Sequence, residues 1–145
     1  AKKEAILMDQ DKNKPSKLKN NEIIGSLSEY SAKADYKSMI GSSPVVIFSK
    51  SYCPYSKKLK ALLSTKYKIT PEPFILELDL YEHGADLQKH IGKVTKRATV
   101  PNLIINGFSY GGCDDIVALD NEGDLLASLT KWLGDKAKVS MVNKV

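Results

Sequence analysis

The sequence predicts an α/β protein with a mixed four-stranded sheet and helices on both faces of that sheet. Short apolar runs of strand length alternate along the chain with amphipathic segments of helical period. The apolar run 45–48 and the alternating run 74–80 are separated by one helical segment, so a right-handed crossover should make these two strands parallel. The dipeptide Asn106-Gly107 stands between two further apolar runs and indicates an antiparallel hairpin, because both residues tolerate a positive φ.

The order of elements predicted along the chain is α–β–α–β–α–β–β–α–α. The first helix is expected over about 27–40, after Ser26 as its cap, and the segment 41–44 ends it. The second helix begins after Cys53 and runs to about Lys66. The three later helices are predicted from apolar residues at helical spacing: Leu87, Ile91 and Val94; Ile116 and Leu119; and Leu125, Leu129 and Leu133.

These elements make one domain over residues 26–135, with no internal repeat and no sign of a second domain. Residues 1–25 are rich in Lys, Asp and Asn and show little periodicity, so we interpret them as a flexible N-terminal lead-in or linker. The segment 136–145 is predicted to be a loosely ordered tail.

The composition argues against several classes of function. The formal net charge of +5 is spread along the chain, and no basic run alternates with aromatic residues, so no nucleic-acid partner is expected. Two cysteines are too few for a disulfide framework, and no Cys or His residues have the short spacing of a metal site. No apolar run approaches the roughly 20 residues that cross a bilayer. Because the chain begins with Ala1 instead of Met, it could be a trimmed piece that lacks an upstream targeting or membrane segment.

Cys53 lies where the first strand is predicted to end and the second helix to begin, which makes it a candidate nucleophile. The first N–H groups of a helix have no intrahelical partner and carry partial positive charge, so they stabilise a thiolate over a thiol. Pro54 suits the first helical position, because its missing N–H would have no acceptor there. The third residue after Cys53 is Ser56, whose hydroxyl does not attack a disulfide, so the expected chemistry uses one thiol.

Three segments, in this order, resemble those of the glutaredoxins, which have the thioredoxin fold. They are Cys-Pro-Tyr-Ser at 53–56, Thr-Val-Pro at 99–101 and Gly-Gly-Cys-Asp-Asp at 111–115, and the likeness covers about 27–134. The chain is most similar to the yeast membrane-anchored monothiol glutaredoxins of the early secretory pathway. Segments that carry this closer likeness are Glu77-Leu78-Asp79, His83-Gly84, Val94-Thr95, Val100-Pro101-Asn102 and the Leu-rich segment ending at Trp132.

The resemblance implies that Cys53 is the nucleophile and that glutathione lies in a groove beside it. Lys50 and Arg97 would hold the glycine carboxylate of glutathione, and Tyr55 would line the groove near the sulfur. The sequence departs from the family pattern at Lys96, where glycine commonly precedes the arginine. This departure bears on how far the Arg97 side chain can extend toward the glycine carboxylate.

The same resemblance implies the rest of the groove. Val100 would pair its backbone with the cysteinyl part of glutathione, as an added strand does. Pro101 would follow a cis peptide bond. The amides of Cys113 and Asp114, at the start of a helix, would receive the γ-glutamyl carboxylate. The Cys113 side chain is expected to be a small, partly buried residue, with glutathionylation or an occasional disulfide as the alternatives.

The function implied by the resemblance is a glutathione-dependent thiol–disulfide oxidoreductase whose partners are glutathione and glutathionylated proteins. The alternative is a homodimer that holds a [2Fe-2S] cluster between two Cys53 thiolates and two glutathione thiolates, with an iron–sulfur carrier or sensor role. A monomer is expected in the first case and a cluster-bridged dimer in the second. The relatives it resembles are tethered in the lumen of the secretory pathway, and a cytoplasmic location is the alternative.

Overall fold

The computed structural model describes residues 29–142. Every element described below lies within Ala32–Val145, one of the two units into which the chain divides. The lead-in predicted over 1–25 lies outside the described residues, so its flexibility stays a prediction.

Five helices and six strands lie in the described part of the chain. The helices are α1 (Ala32–Ser42), α2 (Pro54–Thr65), α3 (Gly84–Thr95), α4 (Cys113–Asn121) and α5 (Leu125–Leu133). The strands are β1 (Val45–Ser49), β2 (Tyr67–Thr70), β3 (Phe74–Glu77), β4 (Asn102–Ile105), β5 (Phe108–Ser109) and β6 (Lys138–Met141).

The central sheet has four strands in the order β3-β1-β4-β5. β1 runs parallel to β3 and antiparallel to β4, and β4 pairs antiparallel with β5. The turn between β4 and β5 contains Asn106 at φ 50° and Gly107 at φ 87°, the positive values that the hairpin prediction requires. The predicted mixed four-stranded sheet is therefore confirmed.

Alternate residues of β1 enter two separate cores, which places helices on both faces of the sheet. Val45 and Ile47 pack in one core with apolar side chains of α2, α4 and α5. Val46 and Phe48 point to the other face and pack with side chains of α1 and α3. All five residues of β1 are buried, as expected for a central strand covered on both sides.

A second, two-stranded sheet was not predicted. β2 pairs antiparallel with β6, and Tyr67 and Ile69 of β2 are buried against the first core. The prediction that 136–145 is a loosely ordered tail is therefore wrong for Lys138–Met141, which forms β6. Only Val139 of β6 is partly buried, so the hydrophobic pattern of this segment is too weak to indicate a strand.

The strand predicted over 74–80 is shorter than its alternating pattern indicates. β3 ends at Glu77, Leu78 is buried in the second core, and the Leu80 side chain is 74% exposed. A turn follows the strand, in which the N–H of Leu80 donates to the carbonyl of Glu77 at 3.1 Å. The chain therefore leaves the sheet after Glu77.

Lys96 follows α3 in the left-handed conformation, at φ 66°. A non-glycine residue in this region costs roughly 1–2 kcal/mol of folding free energy relative to glycine. Replacement by glycine recovers only part of this cost, because glycine loses more backbone entropy on folding. We expect Lys96→Gly to raise the free energy of unfolding in urea by about 0.5–1 kcal/mol. The matched control, Lys93→Gly inside α3, should lower it by about 1 kcal/mol. A Lys96→Gly variant no more stable than the parent would contradict this reading of the backbone.

Candidate active site

Cys53 stands at the junction of β1 and α2. The segment 50–53 turns back on itself, since the N–H of Cys53 donates to the carbonyl of Lys50 at 3.0 Å, and α2 begins at Pro54. Cys53 is the N-cap residue of α2 and has extended backbone dihedrals, φ −79° and ψ 122°. Its thiol is partly exposed. The sulfur therefore meets solvent at the positive end of a helix.

Ser56 is fully buried beneath Cys53 and shapes the chemistry of its sulfur. The Ser56 hydroxyl oxygen accepts a hydrogen bond from the N–H of Lys50 at 3.3 Å. Partial burial of Cys53 opposes ionisation, but hydrogen bonds from the N–H and hydroxyl of Ser56, from the N–H of Tyr55, and the charge of Lys50 outweigh it. The pKa of the Cys53 thiol is therefore lowered.

A groove of about 160 Å³ lies beside this helix start. It brings together six of the seven residues that the sequence resemblance assigns to glutathione: Tyr55, Arg97, Val100, Pro101, Cys113 and Asp114. Gly112 and Asp115 complete its lining. Lys50 does not line this groove and acts instead on the sulfur of Cys53 through its charge.

Arg97 is fixed at the rim of the groove by an acidic residue that sequence reasoning missed. Its Nη2 donates to Oδ2 of Asp115 at 3.0 Å, and its Nη1 donates to the Thr99 hydroxyl at 3.2 Å. The same Oδ2 of Asp115 accepts the N–H of Gly112 at 2.9 Å. An acid three residues after a helix N-cap is the one sequence signal that could have found Asp115.

Gly112 is required by close packing, not by its backbone dihedrals. A Cβ at this position would lie 2.9 Å from the carbonyl oxygen of Pro101 and 2.8 Å from Nη1 of Arg97. α4 starts at the next residue, and the first N–H groups of a helix have no intrahelical acceptor. The absence of a side chain at Gly112 therefore leaves the amide end of α4 open to the groove.

Val100 presents free backbone groups to the groove. Within residues 29–142 its N–H and carbonyl make no hydrogen bond, and β4 begins only two residues later. The Val100–Pro101 peptide bond is cis, as the resemblance implies. Such an unpaired backbone segment has the free donor and acceptor groups that strand addition requires.

Comparison with known proteins agrees with this geometry. The glutaredoxin family model matches residues 45–109. Glutaredoxin-C6 of Oryza sativa subsp. japonica is 43% identical over 103 residues, which are 69% of this chain and 87% of that protein. The chain belongs to the glutaredoxin family. Family members bind glutathione, and thiol–disulfide oxidoreduction is their general activity.

Other relatives are monothiol glutaredoxins. Monothiol glutaredoxin-7 of Saccharomyces cerevisiae is 49% identical over 104 residues, covering 72% of this chain and 51% of that protein. This glutaredoxin chain therefore spans about half the length of that relative.

Solved glutaredoxin structures share the fold. A buckwheat glutaredoxin–glutathione complex superposes with a TM-score of 0.59 at 31% identity, over 69% of this chain and 88% of that one. The holo form of glutaredoxin C1 from Populus tremula x tremuloides gives a TM-score of 0.61 at 37% identity, over 69% and 96%. The thioredoxin-like fold predicted for this glutaredoxin is thus confirmed.

The second cysteine of this glutaredoxin is in a different environment. Cys113 is buried at the floor of the groove, and burial raises the pKa of its thiol although the charge of Lys58 opposes the shift. A thiol with a raised pKa supplies little thiolate at neutral pH. Cys113 therefore differs from Cys53 in both access and ionisation.

Neither a metal centre nor a membrane span is visible in residues 29–142 of the glutaredoxin. No group of three or more His, Cys, Asp or Glu side chains is placed there to hold a metal ion. In the same residues no helix is both long enough and apolar enough to cross a bilayer.

Proposed function

We propose that this glutaredoxin reduces glutathione mixed disulfides by a monothiol mechanism. The observation that carries the proposal is an accessible Cys53 thiol with a lowered pKa, beside a groove, with Ser56 in the place of a second thiol. Such a thiol can form a mixed disulfide but cannot resolve it within the motif.

The proposed cycle has two exchanges. The Cys53 thiolate attacks the glutathionyl sulfur of a glutathionylated protein, the existing S–S bond breaks, and the protein cysteine leaves as a thiolate that takes up a proton. The thiolate of a second glutathione then attacks the glutathionyl sulfur bound to Cys53. That S–S bond breaks, oxidised glutathione leaves, and the Cys53 thiolate returns.

The groove residues have complementary roles in the proposed binding of glutathione. Arg97 has donors beyond its two bonds to Asp115 and Thr99, so it can also hold a carboxylate of glutathione. The amides of Cys113 and Asp114 open α4 and suit the γ-glutamyl carboxylate. The unpaired backbone of Val100 suits the cysteinyl part of the tripeptide.

The side of the groove near the sulfur is completed by two further residues in this proposal. Tyr55 is 59% exposed beside Cys53 and offers an aromatic wall to the ligand. Lys50 adds positive potential that favours both the thiolate and an anionic tripeptide. Pro101, buried next to Val100, gives the groove floor its shape.

A [2Fe-2S]-bridged homodimer with an iron–sulfur carrier or sensor role is the second candidate. The accessible Cys53 thiol with a lowered pKa favours it, because a cluster requires a thiolate ligand. Pro54 opposes it, since a proline directly after the ligand stiffens the segment that would have to move to admit a cluster.

The location proposed for the protein is the lumen of the secretory pathway, with the full-length protein tethered to the membrane; the cytoplasm is the alternative. Support comes from the similarity to yeast membrane-anchored monothiol glutaredoxins noted in the sequence. Protease protection of the full-length protein in isolated microsomes tests it, because a luminal domain is cut only after detergent is added.

The experiment that tests the proposed activity uses protein purified anaerobically with glutathione and iron present. We expect a colourless monomer that reduces a glutathionylated peptide, and whose intact mass gains one glutathione after exposure to oxidised glutathione. A brown dimer with visible absorbance and no peptide reduction would favour the cluster-binding function instead.

A further inference from the structure

Two carboxylates at the end of β3 hold the segment that leads to Cys53. β1 and β3 are parallel with Ser49 opposite Glu77, so Ser51 and Asp79 are the next residues in phase. Oδ1 of Asp79 accepts the N–H of Ser51 at 2.9 Å, and Oδ2 accepts the Ser51 hydroxyl. One step earlier, Oε1 of Glu77 accepts the Ser49 hydroxyl at 2.6 Å.

Ser51 is the middle of the turn that orients the nucleophile. Cys53 donates its N–H to the carbonyl of Lys50, and Lys50 donates its N–H to the Ser56 hydroxyl, which in turn bonds the sulfur. Within residues 29–142, the two hydrogen bonds to the Asp79 carboxylate connect Ser51 to a distant part of the chain. The turn is therefore fastened at its centre by the segment that follows β3.

Lys50 is close enough to act on both anions. The hydrogen bonds from Ser51, followed by the charge of Lys50, lower the pKa of the Asp79 carboxyl. The charge of Lys50 also contributes to the lowered pKa of Cys53. The Asp79 carboxylate and the Cys53 thiolate are thus both stabilised by the Lys50 ammonium group.

We propose that Asp79 is a positioning residue for the nucleophile: by holding Ser51 with two hydrogen bonds, it fixes the turn 50–53 so that Ser56 and Lys50 stay in place around the sulfur. The proposal rests on the proposed function only in taking Cys53 as the nucleophile. Asp79 touches no reacting atom, and its effect passes through Ser51.

The test measures the rate constant for alkylation of Cys53 by iodoacetamide at pH 7, which needs no glutathione and no disulfide substrate. Asp79→Ala removes both the charge and the hydrogen bonds, and we expect the rate constant to fall by about tenfold. Asp79→Asn removes only the charge, because its amide can accept the N–H of Ser51 and donate to the Ser51 hydroxyl. It should react about tenfold faster than Asp79→Ala.

Two controls separate positioning from general damage. Asp135→Ala changes an exposed aspartate after α5 and should leave the rate constant as it is. Ser51→Ala loses the hydroxyl bond while Asp79 is kept, and this variant should slow alkylation by roughly threefold. If Asp79→Ala does not fold, the Ser51→Ala rate tests the positioning role of Asp79. Equal rates for Asp79→Ala and Asp79→Asn, or a Ser51→Ala rate equal to the parent, would overturn the proposal whatever the peptide-reduction assay shows.

Discussion

Replacing Cys53 with serine is expected to abolish the reduction of a glutathionylated peptide, with a loss on the order of a thousandfold or more. The serine hydroxyl is not ionised at neutral pH and does not attack a disulfide. The other thiol of the groove, Cys113, is buried and has a raised pKa, so it supplies little thiolate for the first step. The measurement is the rate of peptide thiol release, coupled to NADPH consumption through glutathione reductase.

The comparison for this variant is Cys113→Ala, which changes the other cysteine. Cys113 is buried, the pKa of its thiol is raised, and only its backbone N–H is proposed to bind glutathione. Alanine at this position keeps that N–H. The variant should keep far more activity than Cys53→Ser. Loss of activity in Cys113→Ala alone, with Cys53→Ser still active, would show that the nucleophile has been misassigned.

Placing a methyl group at Gly112 is expected to weaken glutathione binding strongly while sparing the nucleophile. The new Cβ would lie 2.9 Å from the carbonyl oxygen of Pro101, which is backbone and cannot swing away, and 2.8 Å from Nη1 of Arg97. Displacing the groove rim by even about 1 Å should raise KM for glutathione by roughly tenfold to a hundredfold. Steady-state kinetics at varied glutathione measure this directly.

Gly41→Ala serves as the matched glycine control. A Cβ at Gly41 would meet no atom within 4 Å, and this residue lies in α1. KM should therefore stay that of the parent. Iodoacetamide alkylation of Cys53 in Gly112→Ala should also match the parent, because the turn 50–53 is untouched. An unchanged KM in Gly112→Ala would mean that glutathione does not use this groove.

Local sequence signals predicted the parts of the fold that adjacent residues decide. The buried run before Cys53 and the proline after it indicate a strand that ends where a helix begins, and the structure places β1 and α2 there. The Asn106-Gly107 pair requires two positive φ angles, which fixes the hairpin of β4 and β5. Both features depend on contacts within a few residues.

Features that depend on distant contacts could not be predicted in the same way. β2 and β6 pair across about half of the chain, and neither has a hydrophobic pattern that specifies the other. In the sequence, Asp115 and Asp79 have the pattern of ordinary surface acids. Their contacts with Arg97 and Ser51 form only in the folded chain. The resemblance to a family indicated the groove residues, but it did not indicate Asp115, which holds Arg97, or Asp79, which holds Ser51.

Titration of Cys53 through the ultraviolet absorbance of its thiolate tests the central statement about this site most directly. With burial outweighed by the hydrogen bonds of Ser56 and Tyr55 and by the charge of Lys50, the thiolate should persist below the pKa of a free cysteine. Reactivity should therefore disappear only as the pH falls through that lowered pKa. A midpoint at or above the value of a free cysteine would contradict the account.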